Sequence, residues 1–135
     1  MSLVEVKTAE LIGQALDWAV AKSEGYQSFI NHDAFGPGKH EVVYVNGETG
    51  DWHHNGNWRA STNWSQGGPL IEQHRISLST SASHDGWHAV NHTGCYALPR
   101  PRVYADARHP LIAAMRCLVA SKLGEVVTVP QELLS

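Results

Sequence analysis

Two apolar stripes at helical spacing stand almost the whole chain apart, and what lies between them reads as strand and turn. In the first, Leu11, Ile12, Ala15, Leu16, Ala19 and Val20 recur at intervals that place them on one helix face. Thr8 is positioned to cap this helix, Glu10 suits its positive end, and Gly25 suits its stop. Asp17 and Lys22 fall on other faces, and Trp18 borders the stripe. The second stripe joins Leu111, Ile112, Met115, Leu118, Val119 and Leu123, opened by Pro110 and closed by Gly124. Helices over about 9–23 and 110–123 are therefore expected.

The intervening pattern points to β structure. Glu41 to Val45 (EVVYV) is a strand candidate followed by the turn pair Asn46-Gly47, and Asn55-Gly56 is a second such pair. Ile76 and Leu78 alternate with serines, and Asp85-Gly86 turns the chain into Trp87-His88-Ala89-Val90, which predicts a hairpin. Residues 91–108 hold two prolines and little periodicity, so they read mostly as loop. Glu125 to Val129 is a short strand stopped by Pro130, and residues 131–134 suit one helical turn. The order helix, strands, helix, strand implies an α+β fold: one domain over 1–135, a small antiparallel sheet packed by two main helices.

Composition narrows the function classes. The 135 residues are 42% hydrophobic and 17% charged, enough apolar material for a core and too little charge for a disordered chain. A formal net charge of −3 argues against a broad basic surface, which makes nucleic acid an unfavoured partner and leaves room only for a local patch. Cys95 and Cys117 have no C-x-x-C spacing, which fits reduced thiols in a cytoplasm. No apolar run is long enough to span a membrane, and the N-terminus has no apolar signal region.

Chemical motifs are sparse. Nine histidines invite a metal, but there is no H-E-x-x-H and no paired cysteine; His53 and His54 beside Asp51 are the weaker metal alternative, since neighbours on a strand point to opposite faces. Asp17, Glu72 and Asp85 are scattered carboxylates, no serine sits in G-x-S-x-G, and no nucleotide fingerprint appears. No catalytic residue and no cofactor is implied. Trp52, Trp58 and Trp64 recur every six residues; as core plugs or as exposed binding aromatics, they are the most distinctive feature of the middle. The stretch STNWSQGGPLIEQHRISL, residues 61–78, reads as a turn: Ser61 or Asn63 caps it around Trp64, Gly67-Gly68 permit positive φ, Pro69 fixes the exit, and Leu70 and Ile71 enter the core before a strand at Ile76. A pocket rimmed by Trp64, Gln66, Gly67, Gly68 and Glu72, with Asp17 and Trp18 from the first helix, is the ligand-binding alternative.

Four blocks resemble the phage NinX-type family of lambdoid phages and prophages. They are Val6 to Gly25; Ser61 to Leu78, similar to the family's S-T-x-W-x-x-G-G-P-I-I-E run; Trp87-His88-Ala89; and His109 to Leu133. Residues 31–60 and 91–108 depart from that pattern. The resemblance implies phage or prophage provenance in a bacterial cytoplasm and carries over no catalytic residue. With no catalytic signature, the expected function is a non-enzymatic accessory role through association with a partner protein or with itself.

Overall fold

The computed structural model describes residues 3–53, 57–81, 86–91 and 103–134. Among them run eight strands and three helices: β1 (Leu3–Lys7), α1 (Gly13–Ser23), β2 (Gln27–Asn31), β3 (Glu41–Val45), β4 (Trp52–His53), α2 (Trp64–His74), β5 (Ile76–Thr80), β6 (Trp87–Asn91), β7 (Val103–Ala107), α3 (Pro110–Leu123) and β8 (Val126–Pro130). The class is α+β, as the sequence implies. The strands make three separate antiparallel sheets rather than one: β1–β8, β2–β3–β4 and β5–β6–β7.

α3 is the hub. Leu111, Ala113, Ala114, Met115, Cys117, Leu118 and Val119 are all buried, so the helix is apolar on nearly every side and must be enclosed. It packs on the β5–β6–β7 sheet along one side and on α1 and α2 along others. The terminal strands close over it, with Leu3 opposite Pro130 and Lys7 opposite Val126. Below β6, Asn91 Nδ2 donates to Ser121 Oγ at 2.8 Å, and burial pushes the Cys117 thiol up to about 11, so Cys117 packs as an apolar side chain.

Four expectations change. Thr8 does not cap α1: it opens a 3₁₀ turn over Thr8–Glu10, and its hydroxyl donates to the Gly124 carbonyl at 2.7 Å, tying the two ends of the chain together. β1 and β2 are strands that the sequence reading leaves unassigned, and β7 replaces a loop. Each is held by pairing with a partner strand. Asp85 and residues 92–102 lie outside the described residues, but Gly86 leads into β6, and the β5–β6 hairpin is in register, Leu78 opposite Ala89. Most consequentially, the stretch read as a turn around Gly67-Gly68 is a helix, α2, that contains Pro69, and neither glycine takes a positive φ. Asn63 caps it, its Oδ1 accepting from Ser65 N at 2.9 Å.

Tertiary contact explains why two glycines and a proline give a helix. A Cβ on Gly67 would stand 2.3 Å from the Ala60 carbonyl oxygen and 2.6 Å from Leu111 Cδ1, so only glycine lets α2 seat against α3. Packing overrides intrinsic propensity here. At its far end, His74 Nε2 lies 2.6 Å from Glu24 Oε1, joining the last turn of α2 to the end of α1.

Candidate functional site

The β2–β3–β4 sheet has two contrasting faces. Strand register puts Ser28, Ile30, Val42, Tyr44 and His53 on the inner face, and Phe29, Val43, Val45 and Trp52 on the outer one, together with the polar Gln27, Asn31 and Glu41. The inner face rests on an aromatic cluster. Trp58 is buried, its ring 5.1 Å from both Tyr26 and His53 and 6.2 Å from Tyr44, while Trp18 meets Tyr44 edge-on at 6.1 Å. Trp58 Nε1 donates to the Asp17 carbonyl at 2.9 Å, which fixes the ring against α1.

Asp17 sits behind that cluster, 4% exposed, although the helical pattern sets it off the apolar stripe. The segment following Trp58 folds over it, and Ser61 N donates to its Oδ1 at 2.9 Å. Ser61 is itself 1% exposed, so this contact is shielded from water. Burial raises the Asp17 carboxyl above the ordinary range, partly offset by Ser61 and by the charge of Arg59. Burial, and then the nearby Asp17 charge, drives the Tyr44 phenol up as well.

Of the residues singled out from the sequence, some converge and some do not. Gln66 reaches back to the segment preceding α2: its Oε1 accepts from Arg59 N at 2.6 Å, and its Nε2 donates to the Asn57 carbonyl. Gly67 packs on the next residue of that segment, Ala60. Asp17, Gln66 and Gly67 thus gather around residues 57–61, from opposite sides, while Trp18 turns to Tyr44. Trp64 (53% exposed) and Glu72 face solvent instead, and a Cβ on Gly68 would meet nothing within 4 Å. Trp18 also lines a hollow of about 210 Å³ with Leu3, Lys22, Tyr26, Ser28 and Thr128. His53 is committed to the aromatic cluster and His54 lies outside the described residues; among the described residues no group of three metal-ligating side chains could hold an ion. Trp18 and Trp58 are core, Trp87 is half-buried, and Trp52 and Trp64 are exposed.

The outer face is the part sequence reading missed. Phe29 is 42% exposed and Trp52 59%, flanking Val43, which is buried yet outside the main hydrophobic cluster. Phe35, in the β2–β3 connection, is exposed too. A solvated sheet face ordinarily carries polar side chains, so the exposed Phe29 and Trp52 stand out on this one. The signal was available only through β2, whose sequence QSFIN has no clean alternation.

The molecule defined by these features is a small α+β protein with one aromatic, outward-turned sheet face and no helix among the described residues long and apolar enough to cross a membrane. The sequence profile of the Bacteriophage P22 NinX family matches residues 7–122, and the chain belongs to that family. The match spans α1, α2 and nearly all of α3. No curated protein matches the chain.

Proposed function

We propose that this is a non-enzymatic phage accessory protein, acting in the bacterial cytoplasm by associating with a partner protein or with itself through the outer face of the β2–β3–β4 sheet. The observation behind this reading is the row Phe29, Val43, Val45 and Trp52, on a sheet whose inner face is already satisfied by Trp58. Exposed Trp and Phe are the side chains that dominate binding energy at protein interfaces. The double variant Phe29→Ser, Trp52→Ser tests it by sedimentation velocity and by affinity capture from phage-infected cells. Both residues are exposed, so the variant keeps wild-type secondary structure and melting behaviour while losing the associated species. Wild-type protein that stays monomeric and captures nothing that the variant fails to capture would count against the reading.

A second reading, small-molecule binding, draws support from the hollow beside Trp18, where the buried Ser28 hydroxyl has no hydrogen-bond partner among the described residues, rather than from the Trp64–Glu72 segment. Its test is a thermal-shift screen of metabolites, in which stabilisation must depend on Ser28 and Trp18.

A further inference from the structure

A second concave surface lies on the other side of α3, where β7 and the paired ends of β1 and β8 stand apart. The cleft there has a volume of about 410 Å³ and is walled by Lys7, Tyr104, Ala105, Ala120, Glu125 and Val126, with Arg116 also lining it. That volume falls in the range of small-ligand sites. Arg116 is the one charged residue within the first twelve positions of α3, and its surroundings are apolar along most of the helix.

The hydrogen bonding of Arg116 leaves a cation without an anion. Its Nε donates to the Leu11 carbonyl at 2.8 Å and one Nη1 hydrogen to the Asp106 carbonyl at 2.9 Å. A guanidinium carries five N–H donors in a planar fork, so the remainder are not used by these two carbonyls. Among the described residues no carboxylate pairs with it, since the nearest acid on β7, Asp106, is bound through Oδ1 to His88 Nδ1 at 2.7 Å. Burial also lowers the Arg116 pKa. Bracketing two carbonyls explains where the side chain lies, but neutral acceptors leave its charge uncompensated.

Lys7 brings a second cation to the same cleft, and Glu125 sets one carboxylate at its edge. Tyr104 supplies a flat wall, 55% exposed, its ring held by stacking on His88 at 5.3 Å, and Val126, 52% exposed, stands in the same lining. We propose that this cleft binds a phosphate monoester carried on a planar apolar body of mononucleotide size. The phosphate would sit on the Arg116 fork and Lys7, and the ring against Tyr104 and Val126. Two cations suit a dianion, while the Glu125 carboxylate disfavours a longer polyanion such as a nucleic acid strand. This site is independent of the sheet face described above.

The test is titration calorimetry on the full chain with adenosine and uridine monophosphates, with adenosine, inorganic phosphate and benzoate as comparisons. The expected result is saturable binding of at least one monophosphate, with adenosine and inorganic phosphate each weaker by about tenfold or more. Lys7→Gln and Tyr104→Ala change exposed side chains and leave the fold intact; each should weaken monophosphate binding, and Arg116→Lys should abolish it. Three results would overturn the proposal. They are no saturation by either monophosphate at millimolar concentration, wild-type affinity in both rim variants, and binding of benzoate without binding of the monophosphates, which would mark a carboxylate site instead.

Discussion

The molecule contains two three-stranded antiparallel sheets of similar size, and they treat water differently. The β5–β6–β7 sheet lays Ile76, Leu78, Ala89, Val103 and Ala105 toward α3, and turns out Ser77, Ser79, His88 and Asp106, with His88 and Asp106 paired. Only Val90 and Tyr104 interrupt that polar face. The β2–β3–β4 sheet turns out Phe29, Val43, Val45 and Trp52 beside the polar Gln27, Asn31 and Glu41, and two of its apolar outer side chains, Phe29 and Trp52, are large and exposed. Both sheets are supported from within, one by α3 and one by the Trp58 cluster, so core demand does not explain the second set of aromatics. The difference teaches that exposed apolar residues are informative when they share a face, and uninformative when scattered.

The sharpest way to break this comparison is to remove the internal support of one sheet. Trp58→Ala deletes a buried ring that touches Tyr26, Tyr44 and His53 and should cost about 3–5 kcal/mol. Hydrogen exchange should show protection lost over 27–31 and 41–45 while 76–80 and 87–91 remain protected. Uniform loss across both sheets would show that they unfold as one unit and that the two supports are not separate.

A second, smaller effect separates the neighbouring glycines of α2. Gly67→Ala drives a methyl into the Ala60 carbonyl and Leu111 and should destabilise by about 1–3 kcal/mol, loosening α2 and the β5 strand that follows it. Gly68→Ala meets open space inside a helix and should instead stabilise by about 0.5–1 kcal/mol. Chemical denaturation of the two single variants checks both signs.

Asp17 sharpens the account of the inner face. Its folded pKa is raised, so the native state binds the proton more tightly than the unfolded chain. Its contribution to stability is therefore greatest below the unfolded value of 3.8 and declines as pH rises through the folded value. Asp17→Asn keeps an oxygen for Ser61 N and removes this titration, so its stability should match or exceed wild type at neutral pH, with a flatter acid limb. Asp17→Ala leaves the Ser61 N–H without its acceptor and should cost about 1–3 kcal/mol at any pH. Denaturation midpoints measured from pH 3 to 8 distinguish the three proteins.

Much of the fold was legible because several elements carry their own signal. α1 and α3 have helical stripes and glycine stops, β3 is a β-branched run, the β5–β6 hairpin alternates around a turn pair, and β8 ends at a proline. The illegible elements owe their existence to partners. β1 pairs with a strand more than a hundred residues away, β2 has no clean apolar alternation, β7 has only small inward side chains after Val103, and α2 has two glycines and a proline that a local reading assigns to a turn. The candidate site follows the same division. Asp17 and Trp18 could be placed on a helix from sequence, but the meeting of Asp17 with Trp58 and Ser61, and of Trp18 with Tyr44, is tertiary. Trp52 and Trp58 stand six apart among the same neighbours, yet one is exposed on a strand and the other is buried by its contacts with Tyr26, Tyr44 and Asp17, which are tertiary.

The central claim is that the outer face of the β2–β3–β4 sheet is a contact surface and its counterpart on the β5–β6–β7 sheet is not. It is tested most directly by placing a photo-crosslinking amino acid at position 45 in one protein and at position 79 in another, then irradiating phage-infected cells. The account predicts a discrete cross-linked product from position 45, abolished by Phe29→Ser, Trp52→Ser, and none from position 79. Equal cross-linking from both positions, or none from position 45, would contradict it.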